Sequence, residues 1–283
     1  MPMALTIKNH LVESDDPNVI KPCKRPVKNK VKFTPNVLDT IIIHYTAGRS
    51  AASSVDWLTR EEVKASAHIV IGREGEIYQL IPFDTIAWHA GESSYAGRTN
   101  FNQFSIGIEL DNAGYLDKAG DGFVAPFGKR YDANEVTSMT HKNEKTPRYW
   151  HVYTEPQIQA CKELCFALMN DNRAIKQILG HDEIAVGRKQ DPGPAFHMDR
   201  FRGMLLGTRE LEHDESEVPF SNGRVNSLDG LNIRSGAGAN FPAIAKTLPL
   251  NKKLKIAGER NGWYRVKIEV EGWVNKAFVV EDK

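Results

Sequence analysis

Apolar residues run together where a strand is covered on both faces and alternate where only one face is covered. In VLDTIIIHYTAG, Ile41, Ile42 and Ile43 are consecutive, which predicts a buried strand that stops at Gly48. Ser53 or Ser54 is then placed to cap a helix running to about Lys64, with Val55, Leu58 and Glu62 at helical spacing. SAHIVIGREGEIYQLIP predicts a hairpin, two β-rich runs around a glycine-bearing turn at 72–75. In FSIGIELDN the residues Ile106, Ile108 and Leu110 share one face of a strand, and Ser105, Gly107, Glu109 and Asp111 share the other. Thr154 and Pro156 open a helix to about Asn170, with Ile158, Cys161, Leu164, Cys165 and Leu168 on one stripe. A short apolar run, AIKQILG, leads to GHDEIAVGRKQDPGPAF, and residues 199–206 read as a last short helix.

Between these elements the pattern weakens. Residues 1–35 mix charge and proline and are expected to be an arm with little structure of its own. Residues 113–150 are polar and rich in Gly, Asp, Lys and Asn, which predicts a long loop. Residues 207–222 are acidic and aperiodic, the composition of a linker. From 223 to 283 short strands alternate with turns (LNIRSG, IAKTL, KLKIAGE, GWYRVKIE, GWVNKAFV), which predicts a small all-β barrel after an α/β domain over 36–206.

Composition narrows the function classes. With 283 residues, 41% hydrophobic and 26% charged, the chain can bury a core without disulfides. A net charge of +1 gives no reason to expect nucleic acid as the main partner. The balance hides an asymmetry: residues 223–283 carry 11 Lys and Arg against 6 Asp and Glu, so the barrel is basic and the remainder acidic. No apolar run is long enough to span a membrane. The start, MPMALTIKNHLVESDDPN, lacks the basic and apolar regions of a secretory signal, which points to synthesis in the cytoplasm, with lysis or a dedicated secretion machine as the other route. Cys23, Cys161 and Cys165 are an odd number and are expected as reduced thiols.

Candidate chemistry sits at the ends of the predicted elements. His44 ends the apolar strand, His181 follows Gly180 after another apolar run, and Asp191 opens DPGP. Two histidines and a carboxylate are the donor set of a catalytic zinc site that keeps one position for water. On spacing alone a histidine after an apolar strand is more often a core or strand-edge residue than a ligand, and the protease motif HExxH is absent. Glu109 lies inside an apolar strand, where an ionised carboxylate is costly unless paired; it reads either as a solvated edge residue or as a general base, with Gly107 leaving space for a ligand beside it. Lys189, two residues before Asp191, reads either as a surface lysine or as a cation facing an oxyanion.

Four segments taken together resemble the zinc-dependent N-acetylmuramoyl-L-alanine amidases, whose fold is shared with phage lysozyme-type amidases and animal peptidoglycan-recognition proteins. They are IIIHYTAG, the stretch from SAHIVIG through AWHAG to SIGIELDN, YTEPQIQA and GHDEIAVGRKQDPGPAF. The likeness covers about 36–206 and is nearest to the branch that trims anhydromuramyl peptides in cell-wall recycling. It implies an α/β fold, a mixed central sheet flanked by helices, with Zn2+ held by His44, His181 and Asp191. It implies Glu109 as general base and Lys189 as the stabiliser of the transition state. Phage relatives carry a tyrosine where this chain has Ala67, which moves the base assignment to Glu109. His68, Trp88, His89 and Asn102 match positions lining the substrate groove, and Trp88 and Tyr95 could offer flat apolar surface. The implied reaction is hydrolysis of the amide between N-acetylmuramic acid and L-alanine, in peptidoglycan or in muramyl peptides. A peptidoglycan-binding receptor without activity and a zinc peptidase cutting within the stem peptide are the alternatives. The 113–150 segment and the C-terminal barrel depart from the recycling branch. LNIRSG, NGWYRV and GWVNKAFV resemble bacterial SH3-like barrels, which implies binding of cell-wall peptides.

Overall fold

A computed structural model describes residues 5–23, 29–213, 221–225, 231–233, 247–260 and 263–267. The chain divides into two compact units, Met1–Leu205 and Leu206–Lys283. The first unit begins with a hairpin of β1 (Leu5–Lys8) and β2 (Leu11–Ser14), followed by β3 (Ile20–Lys21). Then come β4 (Thr40–Tyr45), α1 (Ala51–Leu58), β5 (Ile69–Ile71) and β6 (Ile77–Gln79). A small hairpin of β7 (Ser94–Tyr95) and β8 (Arg98–Thr99) precedes β9 (Ser105–Leu110). Five short strands follow: β10 (Tyr115–Ala119), β11 (Gly122–Val124), β12 (Arg130–Tyr131), β13 (Val136–Thr140) and β14 (Pro147–His151). The unit closes with α2 (Glu155–Asp171), β15 (Gln177–Gly180), α3 (His181–Ile184) and α4 (Met198–His213).

The centre is a six-stranded mixed sheet in the order β15-β4-β9-β5-β6-β3. Strands β15, β4, β9 and β5 are mutually parallel, and β6 turns back antiparallel on β5. Both faces are covered, as the consecutive isoleucines predict: Ile41, Ile42, Ile43, Ile69, Ile71, Ile106 and Ile108 are fully buried. Helix α2 packs against β1 and β5 through its buried stripe, which includes Cys161 and Cys165 as free thiols. Its Gln157 donates to the carbonyls of Ile71, at the end of β5, and of Asp111, just beyond β9. Thr154 caps α2 at the predicted place, its side chain accepting from the Gln157 N–H.

Four expectations are corrected. Residues 1–35 carry structure: Leu5, Val12 and Val19 are buried, Val12 N–H donates to Gln79, and β3 pairs with β6 as the sheet's edge. Each run is four residues or fewer, too short for alternation to stand out against charge and proline. Helix α1 starts earlier and ends sooner than predicted. Ser50 is the cap, exchanging hydrogen bonds with Ser53, and the helix stops at Leu58. The 113–150 segment is a five-stranded antiparallel sheet in the order β12-β11-β10-β14-β13. The expected linker at 207–222 begins as helix, since α4 continues to His213.

In the second unit β16 (Ser221–Arg224), β17 (Lys253–Arg260) and β18 (Trp263–Lys267) form an antiparallel sheet. A bridge between Leu231 and Leu248 links the LNI stretch to residues before β17. The predicted GWVNKAFV strand lies outside the described residues.

A candidate metal centre at the ends of parallel strands

In open α/β sheets, side chains that project beyond the carboxyl ends of parallel strands meet in a crevice. Here His44 is the penultimate residue of β4 and Glu109 the penultimate residue of β9, and the two are register partners. Parallel partners point to the same side, so imidazole and carboxyl stand next to each other. Gly180 at the end of β15 pairs with Ile43, which places His181 beside His44. Asp191 arrives on the loop after α3, held by Asp182 N–H donating to its carbonyl at 2.7 Å and by Tyr153 O–H donating to the Pro192 carbonyl at 2.8 Å.

The three side chains converge tightly. His44 Nδ1 and His181 Nδ1 lie 2.9 Å apart, and each lies 2.9 Å from Asp191 Oδ2. All three residues are buried, and among the described residues they form the one group of histidine, cysteine or acidic side chains able to grip an ion. The donor chemistry fits a cation. His181 Nε2 faces the Ala90 carbonyl at 3.0 Å, which can only accept, so Nε2 carries the proton and Nδ1 presents a lone pair. Burial first, and the neighbouring His181 second, hold the His44 imidazolium down to about 4, so His44 is a neutral base near pH 7. Electron pairs from two nitrogens and a carboxylate oxygen therefore aim at one point.

Glu109 is half-buried, and its Oε2 has no hydrogen-bond partner. Burial first, and the Asp191 carboxylate second, push its carboxyl well above the usual range, while Lys189 pulls it back. A carboxyl poised in this way beside the triad can take up a proton, and added positive charge at the triad would favour its ionised form. Lys189 lies on the exposed stretch before Asp191 and lines the same cleft.

That cleft, about 890 Å³, is lined by the triad, Glu109, Lys189 and His89 among others. The remaining expected groove residues stand differently. His68 is fully buried outside the lining, with Nδ1 accepting from Gly107 N–H and Nε2 donating to the Thr85 carbonyl, flanked by Phe33 and Phe83. Asn102 Oδ1 accepts from the backbone N–H groups of His89 and Ala90 and lies outside the lining. Trp88 and Tyr95 are exposed, and Trp57 of α1, 49% exposed, lines the cleft. The space expected beside Gly107 is filled by the His89 ring, since a Cβ there would lie 2.4 Å from His89 Cγ.

Trp57, His141 and Arg188 are among the lining residues that escaped the sequence reading. His141, in the turn after β13, is buried and donates through Nε2 to Asp182 Oδ2 at 2.9 Å. Arg188 lines the cleft and donates to the Ala90 carbonyl at 2.7 Å. His141 sits in a polar stretch with no period to mark it. Arg188 sits within GRKQDPGP, one residue from Lys189, and that proximity was its only signal.

Comparison with known proteins places the site in context. The sequence model of the N-acetylmuramoyl-L-alanine amidases matches residues 34–194, and that of the bacterial SH3 domain matches 229–280. The 1,6-anhydro-N-acetylmuramyl-L-alanine amidase AmpD of Citrobacter freundii is 37% identical over 151 residues, which cover 53% of this chain and 62% of that one. The N-acetylmuramoyl-L-alanine amidase AmiD of Escherichia coli is 30% identical over 177 residues, covering 60% of this chain and 54% of that one. The chain thus spans between half and two thirds of the length of these relatives. A solved complex of AmiD from E. coli with an anhydro-N-acetylmuramic acid peptide aligns at 26% identity and a TM-score of 0.44, over 71% of this chain and 66% of that one.

Proposed function

The chain belongs to the N-acetylmuramoyl-L-alanine amidase family, and we propose that it hydrolyses the amide between the lactyl group of N-acetylmuramic acid and L-alanine of the stem peptide. The observation that carries this reading is the triangle of His44, His181 and Asp191 donor atoms, 2.9 Å on each side, with the unpartnered carboxyl of Glu109 at its register position next to His44.

Zn2+ is the ion proposed for the triad, since two imidazoles and one carboxylate are its ligand set in catalytic sites. Held by His44, His181 and Asp191, it would supply a Lewis acid and would lower the pKa of water to about 7. Glu109, as the carboxylate, takes the proton of the attacking water and returns it to the leaving alanine nitrogen, so the carboxylate is regenerated each turnover. Lys189 faces the negative charge that develops on the carbonyl oxygen. The wall formed by Trp57 offers an apolar surface to the sugar or the peptide.

The SH3-like segment is proposed as a cell-wall-binding module that raises the local concentration of polymeric substrate. AmpD and AmiD relatives carry names that refer to muramyl-L-alanine amides, and both soluble anhydromuramyl peptides and intact sacculi are proposed substrates. Among the described residues no helix is long and apolar enough to cross a membrane.

Mass spectrometry of products from sacculi and from purified anhydromuramyl peptide tests the reaction. The expected products are stem peptides with a free L-alanine amino group and sugars with a free lactyl carboxylate. Cleavage between stem residues, or binding with no product from either substrate, overturns it.

A further inference from the structure

The outer nitrogens of both ligand imidazoles end on two consecutive residues. His44 Nε2 lies 2.9 Å from His89 Nδ1, and His181 Nε2 donates to the carbonyl of Ala90 at 3.0 Å. Protons along the first contact can be assigned from its far end. Ser105 Oγ donates its hydrogen to the Phe101 carbonyl, so toward His89 it can only accept, as can the Ser105 carbonyl. His89 Nε2, 3.3 Å from that hydroxyl and 3.4 Å from that carbonyl, therefore carries the ring proton. Its Nδ1 is then a bare acceptor, and His44 Nε2 must donate to it. The consequence is that His44 Nδ1 is left as a lone pair aimed into the triad.

The dipeptide is itself seated from two sides. Asn102 Oδ1 accepts from His89 N–H at 3.0 Å and from Ala90 N–H at 2.8 Å. The His89 ring lies over Gly107, whose missing Cβ is the space it occupies. Arg188 adds a second donor to the Ala90 carbonyl.

We propose that the His89–Ala90 dipeptide is the strut that fixes the metal-binding tautomer of both ligand histidines, with Gly107 and Asn102 as the seats that set its position. His89, Gly107 and Asn102 are thus positioning residues that act through His44 and His181. The inference rests on the reading of the triad as a cation site. Outer hydrogen bonds of this type orient a ligand ring, and their loss typically weakens metal affinity 10- to 100-fold.

The test is zinc affinity of the full chain, measured by competition with a chromophoric chelator, with far-UV circular dichroism of the metal-free variants as the fold control. His89→Ala is expected to weaken zinc binding by about 10- to 100-fold. His89→Asn places an amide oxygen where Nδ1 stood and should bind zinc within a few-fold of the parent, which a loss of bulk alone would not restore. Gly107→Ala should weaken binding in the parent and have little further effect in the His89→Ala background, because its methyl group acts by displacing the ring. A parent chain that takes up zinc while His89→Ala binds it equally well overturns the strut alone. A Gly107→Ala effect undiminished in the His89→Ala background overturns the seat. A parent chain that takes up no zinc overturns the cation site and the strut together.

Discussion

The two sheets of the first unit serve the same cleft by different means. The six-stranded sheet is buried on both faces, and its parallel strands end in a row. The positions of His44, Glu109 and His181 are therefore set by strand register, with His44 opposite Glu109 and His181 one step beyond a Gly180–Ile43 pair. The five-stranded sheet over 115–151 is largely half-buried, with a small core of Ala113, Leu116, Ala125 and Tyr131. It reaches the cleft only through the turn after β13 and is anchored there by polar contacts, His141 and Lys142 both pairing with Asp182. A close-packed apolar sheet holds groups to the tenths of an ångström that a metal site needs. A half-solvated sheet supplies a wall, and the two should respond very differently to substitution.

The sharpest break lies in the first sheet and its loop. Asp191→Ala removes one of the three proposed ligands, and the expected outcome is loss of stoichiometric zinc and hydrolysis at background; His44→Ala should behave alike. Metal analysis beside a product assay checks both, and a zinc-free variant with full activity overturns the site. Glu109→Gln comes next. It keeps the volume and removes the titrating group, so zinc and fold should remain while the rate falls about 10²–10⁴-fold. Unchanged turnover removes Glu109 from the chemistry.

The same contrast governs what was legible in the sequence. Consecutive isoleucines at 41–43 and the alternation in 105–110 carry strand periodicity, so the centre of the fold and the strand-end positions of His44 and Glu109 followed from the pattern. Sequence pattern could not show that His181 and Asp191 meet His44, because their contacts are made across 137 and 147 residues; the resemblance supplied that pairing. The second sheet was read as a loop because strands such as β13, VTSMT, alternate half-buried with exposed and leave no apolar run to detect. His89 and Asn102 were placed in the groove by the resemblance; His89 does line the cleft, but sequence pattern could not show that its ring also reaches His44 or that Asn102 accepts from the backbone of His89 and Ala90.

Acid should erode both sheets in the metal-free chain. Burial is the largest cause holding His44 and His68 of the first sheet at about 4 and His151 of the second at about 3, against 6.5 when unfolded. Between 6.5 and 4 the unfolded chain binds protons that the folded chain refuses, so stability is full above 6.5 and falls as pH drops through that window. The slope is at most about 1.4 kcal/mol per pH unit for each such histidine. Urea unfolding of zinc-free protein at a series of pH values checks this, and a stability that stays flat across the window overturns it. His151→Asn keeps an acceptor for the Ala113 N–H and should lower the slope by one proton.

The smallest effect is expected at the anchor of the second sheet. His141 Nδ1 accepts from Asn143 N–H, so its proton sits on Nε2 and is donated to Asp182 Oδ2 at 2.9 Å. His141→Ala leaves that oxygen buried without its donor, a loss of about 1–3 kcal/mol. Lys142 remains 2.8 Å from the other Asp182 oxygen, and Asp182 N–H still holds the Asp191 carbonyl. The ligands therefore stay in place: zinc binding should be unchanged and kcat/KM should fall less than about tenfold, below the range of groups that move protons in the reaction. Denaturant unfolding, chelator competition and steady-state rates separate the outcomes. If His141→Ala instead released the zinc, the second sheet would be part of the metal site's frame rather than a wall pinned beside it, and the division of labour between the two sheets would fail.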